Sequence, residues 1–226
     1  MTKEKYALAI HTSSPELGLA ISKLPLDGDF RCQTWNLGRE MAGEMHSRLV
    51  EFIQPQTWQD LAFVAVAIGP GSFTGTRLGV VTARTLAQQL HIPLFGISSL
   101  GTAAFTHVSK SLNKDSNKID KNFCIAAQMP AQRGQIFGAI YELQEKLQLL
   151  HSDAVFTPQA WQETLAGLSM PYELLDIPAG AGLGGTARQV LELAAIQWRE
   201  LGESGNKKPP TWSEVVPFYG QHPVDG

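Results

Sequence analysis

Cysteine is nearly missing from this chain: Cys32 and Cys124 are the only two among 226 residues. That leaves no disulfide framework and no paired-cysteine metal spacing, and both thiols read as buried groups in strand-like sequence, as expected in a reducing compartment. Charge is also thin. Only 17% of residues are charged and the formal net charge is -3, which argues against a dominant nucleic-acid surface. No apolar run approaches the roughly 20 residues of a membrane span. The opening "MTKEKYALAI" is interrupted by charge too early for a signal peptide. A cytoplasmic protein away from membranes is expected. The hydrophobic fraction of 43% is ordinary and supports one large domain or two small lobes.

Several catalytic signatures are absent as well. No Gly-Lys-Ser/Thr closes the glycine-rich stretch, so it is not a Walker loop, and neither H-E-x-x-H nor G-x-S-x-G occurs. The six histidines are scattered, and His46, on a helical "EMHSR", has no second ligand at a metal spacing. A phosphotransferase built from two strand-strand-strand halves needs an acid at the end of the first strand of each half, to hold Mg²⁺. Those strands end in "AIHTSS", with His11, and in "AQMPAQRG", with Pro130. Neither residue holds magnesium directly, and no metal site is expected.

The segments that are present alternate in period. "YALAIHT", "LGLAISK" and "FRCQTWNL" read as three strands joined by turns. Residues Arg39 to Gln54 then read as a helix with Met41, Met45, Leu49 and Phe52 on one stripe. "LAFVAVAIG" is apolar throughout, as a strand covered on both faces would be. A second helix is expected from about Gly75 to Leu90, with Gly79, Ala83 and Ala87 as a row of small residues; a short strand and a third helix follow. Ser109 to Asn122 is polar and lysine-rich and reads as a linker. After it come three strands, a helix capped by Thr157 with Pro158 at its first position, a short strand and a long helix beginning "GGTARQ". Element order therefore repeats. The expected division is a first lobe over 1–108, a linker over 109–122, a reduced second lobe over 123–206 and an extended tail over 207–226.

Between the fourth strand and the second helix lies "IGPGSFTGTRLG". Glycines before a helix offer unpaired N–H groups at a positive dipole end, so the loop is an anion-site candidate. The plainer reading is a turn with Thr74 or Thr76 as the helix cap. "GAGLGG", Gly180 to Gly185, matches G-x-G-x-x-G, but no further strand follows its helix to present an acid to a ribose. Gly71, Ser72, Thr74 and Gly182 are the residues that would lie beside a nucleotide. The first loop is expected chiefly to shape the entry of its helix.

The stretch "IGPGSFTGTRLGVVTARTLAQQLHIPLFGISSL" resembles the signature block of the TsaB (formerly YeaZ) family, bacterial proteins needed to make threonylcarbamoyladenosine in tRNA. "MHSRLVEFI" resembles that family's "HSRxLLPxI" helix, "PAQRGQIFGAIYEL" its "DARRGEVYxAxY" strand pair, and "PFYGQHP" its "PxYLRxP" tail. The resemblance covers essentially the whole chain, the central block being the most specific. The family usually has Asp at His11 and at Pro130, and Arg at Gln221, so this is a divergent member. What the resemblance implies is an α/β, actin-like and RNase H-like (ASKHA) duplicated fold of two lobes, the second reduced. It further implies a non-catalytic subunit that pairs with TsaD, which transfers the threonylcarbamoyl group from an adenylate to adenosine beside the anticodon, with the ATPase TsaE joining the pair. On this view the chain itself carries no cofactor, and ATP or ADP enters only within the complex. Contact with tRNA is indirect, and a homodimer is open when the chain is alone. Met41, Met45, Leu49, Val80 and Arg84 are the expected contacts with TsaD, unless the methionines simply fill the core. The competing reading is an independent ATPase or phosphotransferase of the same fold. A peptidase lacks both nucleophile and metal pair.

Overall fold

The structure, a computed structural model, describes residues 4–26, 28–114, 123–144, 147–178, 182–204 and 208–220. It divides into two compact units, Met1–Ser99 with Gly180–Phe218, and Leu100–Ala179 with Tyr219–Gly226.

In the first unit, strands β1 (Tyr6–His11), β2 (Glu16–Lys23) and β3 (Phe30–Asn36) form an antiparallel meander. Helix α1 (Met41–Ile53) leads to β4 (Leu61–Ala67), which pairs parallel with β1; α2 (Phe73–Leu90) leads to β5 (Leu94–Ile97), parallel with β4. Sheet order is therefore β3-β2-β1-β4-β5. The strands alternate in the size of what they present. Leu8, Ile10, Leu17, Leu19, Val64 and Val66 point to one face and pack with Met41, Met45, Leu49 and Phe52 of α1 and with Val80, Ala83 and Ala87 of α2. Ala7, Ala9, Ala20, Ala65 and Ala67 point to the other. Two helices cover the first face, and a single helix covers the second, where Phe63, Phe95 and Ile97 stand beside the alanines.

The second unit takes over at α3 (Ser99–Lys114). Its sheet comprises β6 (Phe123–Pro130), β7 (Ile136–Leu143), β8 (Leu147–Phe156) and β9 (Tyr172–Asp176), in the order β8-β7-β6-β9, with α4 (Pro158–Ala166) between β8 and β9. That is the order of the first sheet without its fifth strand, with β6 and β9 parallel as β1 and β4 are. Thr157 caps α4, its Oγ1 accepting from the Ala160 N–H at 3.1 Å, as expected. Trp161 anchors α4 among Cys124, Ala126 and Ile140, donating from Nε1 to Gln128 Oε1 at 2.6 Å.

The last helix, α5 (Ala187–Ser204), corrects the expected lobe boundaries. It belongs to the first unit, where Ala187, Val190, Leu191, Ala194 and Ala195 cover the alanine face. Trp198 closes one end of this layer, its ring 5.4 Å from that of Phe63. A lobe over 123–206 would have left that face bare, so the burial of apolar area decides the assignment. The tail follows it: the Phe218 N–H donates to Ile68 O at 2.7 Å, and Val215 is buried against this unit's core. The expected linker over 109–122 begins inside α3, and its residues 115–122 lie outside the described residues. Gly180 and Gln221 also lie outside them. Cys124 is buried as expected, but Cys32, on the edge strand β3, is exposed.

Candidate functional site

Both glycine-rich turns close on one short segment, residues 12–16, between β1 and β2. The first turn follows β4. Ser72 caps α2, its Oγ accepting from the Gly75 N–H at 3.2 Å, so the cap is Ser72 rather than Thr74 or Thr76. The Ser72 N–H donates to Ser13 O at 2.7 Å, and Thr12 Oγ1 donates to Gly75 O at 2.8 Å. A Cβ on Gly75 would stand 2.2 Å from Thr12 O, and one on Gly79 would stand 2.1 Å from Thr12 Oγ1. Gly75 gives room to the chain's own backbone and Gly79 to the Thr12 side chain. The Ser72 N–H, one of the donors an anion cradle would leave open, is taken by Ser13 O, and the Gly75 N–H by Ser72 Oγ.

Of the residues expected beside a nucleotide, Gly71 and Ser72 thus meet Ser13, Thr74 is exposed, and Gly182 lies at the second turn. There the Gly182 N–H donates to Glu16 Oε1 at 3.0 Å, the Gly184 N–H donates to Ser14 Oγ at 3.2 Å, and Ser14 Oγ donates to Glu16 Oε2. Burial raises the Glu16 carboxyl, but the donors from Ser14, Gly182 and Gly184 together hold it below the usual carboxylate range.

His11 ends β1 beneath this segment with no exposed surface. Its Nδ1 accepts from the Ser13 N–H at 3.3 Å, which puts the proton of a neutral ring on Nε2. Nε2 has no hydrogen-bond partner among the described residues. Burial pushes the imidazole down from 6.5 to about 4, partly countered by the Glu16 charge. The native state therefore holds His11 neutral where the unfolded chain protonates it. Stability from this group is complete above pH 6.5 and is lost as pH falls toward about 4. Urea unfolding should show about 2 kcal/mol more loss between pH 6.5 and pH 4.5 in the wild type than in His11→Asn; equal slopes would refute a buried neutral ring.

Among the described residues, no group of three or more His, Cys, Asp or Glu side chains is placed to hold a metal ion, and no helix is long and apolar enough to cross a membrane.

The expected contact residues need correction. Met41, Met45, Leu49 and Val80 are buried in the first unit's own core, between the helices and the sheet. The stripe that faces the sheet cannot also face a partner. Arg84 is partly buried, its guanidinium 5.6 Å from the Trp212 ring centre. The outer faces of α1 and α2 carry different residues. Phe73, Arg77, Val81 and Thr85 form an exposed i, i+4 row on α2, and Gly43, Ser47 and Val50 an exposed row on α1. Phe73, Val81 and Val50 are each more than half exposed. Sequence reasoning missed them because it looked for the strongest apolar stripe, which is the stripe that folds inward.

The family described as TsaD, tRNA N6-adenosine threonylcarbamoyltransferase, is matched over residues 49–171, just over half of the chain. The tRNA threonylcarbamoyladenosine biosynthesis protein TsaB of Bacillus subtilis (strain 168) is 38% identical over 89 residues, 39% of this chain and 34% of that protein. TsaB of Escherichia coli (strain K12) is 31% identical over 113 residues, 49% of this chain and 45% of that protein. The chain belongs to the TsaD family, as a TsaB (YeaZ) member. The aligned stretches span less than half the length of each of these two relatives. YeaZ from Pseudomonas aeruginosa superposes with a TM-score of 0.69 at 20% identity, covering 95% of this chain and 99% of that one. A protein described as similar to peptidase YEAZ from the same organism gives 0.70 at 18%, covering 96% and 100%. The two sheet orders and these neighbours together make the fold actin-like and RNase H-like.

Proposed function

We propose that this chain is a non-catalytic subunit for tRNA threonylcarbamoyladenosine biosynthesis, docking a TsaD-type transferase through the outer faces of α1 and α2. The observation that carries the reading is the exposure of Val81 on α2 and Val50 on α1, each more than half exposed on the outer faces of the two helices. Exposed hydrophobic side chains on neighbouring helices are what a helix-to-helix interface uses. The TsaB names of the relatives and the TsaD match support a TsaD-type partner. The inward engagement of both glycine turns supports a chain that takes no nucleotide alone, with ATP or ADP entering through TsaD and TsaE and tRNA reached through the complex. Such a subunit would work in the cytoplasm.

The test is copurification with TsaD. Val50→Glu with Val81→Glu should weaken association at least about tenfold, as loss of two central apolar contacts does, while the urea midpoint of the isolated chain stays within the small range of surface changes. Full retention of TsaD by the folded double variant would move the interface elsewhere.

A further inference from the structure

The turn that begins at Gly182 invites an external oxyanion, but the chain has already supplied one. Gly182 donates to one Glu16 oxygen, Ser14 donates to the other, and the Gly184 N–H holds Ser14 in place. The Gly182 bond joins groups 166 residues apart in sequence. The backbone is cut to fit on both sides. A Cβ on Gly18 would stand 1.8 Å from Gly184 O, and a Cβ on Gly184 would stand 2.6 Å from Glu16 Cβ. Gly184 is buried, so its N–H has no route to solvent in place of Ser14. Directly after this turn, α5 starts at Ala187, which is already part of the core behind the first sheet.

We propose that Glu16 is a built-in anion that fills the glycine turn before α5, so that the turn latches the β1–β2 segment to the start of α5 and excludes an external phosphate or carboxylate. The latch ties two segments 166 residues apart in sequence. It also accounts for a nucleotide-like motif in a chain whose strand ends carry His11 and Pro130. Its elements are chemically simple: a charge-assisted bond to a backbone N–H, a serine relay, and two glycines that permit the close approach.

Amide hydrogen exchange on the full-length chain tests it. In the wild type, the Gly182 and Gly184 amides should be protected, and adding inorganic phosphate should change neither. In Glu16→Ala both should exchange about tenfold faster, the scale of a lost bond to a charged group, and formate should restore protection by re-supplying a carboxylate. Glu16→Gln keeps the shape without the charge and serves if the alanine variant does not fold; it should lose protection at Gly182 while the helix amides of α5 stay slow. Ser14→Ala should free Gly184 alone. Rates within twofold of wild type in both Glu16 variants would overturn the latch, as would phosphate protecting Gly182 in the wild type.

Discussion

Met45→Glu is expected to destabilise the first unit by at least about 4 kcal/mol, a large part of what holds a domain of ordinary stability together. Met45 has no exposed surface and lies among Met41, Leu49, Val80 and the sheet, with Thr82 Oγ1 at 3.9 Å from its sulfur. The new group must either ionise without solvent or take up a proton, and both cost free energy. Urea unfolding measures the loss, and Met45→Leu, which nearly keeps the volume, should cost less than about 1.5 kcal/mol. A well-folded Met45→Glu protein with a near wild-type midpoint would contradict the packing. The contrast with Val81, more than half exposed in the outer row of α2, separates folding from docking: one substitution weakens the core, the other alters only a surface.

Gly75→Ala is expected to cost at least about 3 kcal/mol. The added methyl would lie 2.2 Å from Thr12 O and 3.2 Å from Ser72 Oγ. Neither neighbour can yield cheaply. Thr12 is held by its own hydroxyl on Gly75 O, and the next residue's carbonyl accepts from Ser72 N–H. Relief requires moving the whole 12–16 segment away from α2, which loosens His11 and Glu16 too. Gly43→Ala is the matched control. Gly43 is exposed within α1 with nothing inside 4 Å of its Cβ position, so alanine there should stabilise by about 0.5–1 kcal/mol. Comparable effects of the two substitutions, in thermal or urea unfolding, would mean the glycine loop is not a packing device.

Much of the local structure was legible in the chain. The three leading strands, the α1 stripe at Met41, Met45, Leu49 and Phe52, the all-apolar β4 and the Thr157–Pro158 start of α4 were each readable, because each rests on a short-range period or a cap. The functional reading was less direct. Apolar spacing picks out Met45 and Leu49 with equal force whether they meet a sheet or a partner; only the position of the sheet makes Val50 and Val81 the free residues. Likewise "GPGSFTG" and "GAGLGG" look alike as ligand loops. That Thr12, Ser13 and Glu16 occupy them could not be inferred from spacing, since the partners lie 63 and 166 residues away.

Sequence by itself determined where the strands and helices lie, which residues of each are apolar, and that the ends of the first strands of the two halves carry His11 and Pro130 where acids would grip a metal. Tertiary structure alone decided that α5 belongs to the first unit, that the methionine stripe is core, and that both glycine turns are filled from within. The division follows from range. Periodicity and capping act over a few residues, whereas a helix chooses its sheet, and a turn its anion, by burial and hydrogen bonding between groups that meet only in the folded chain.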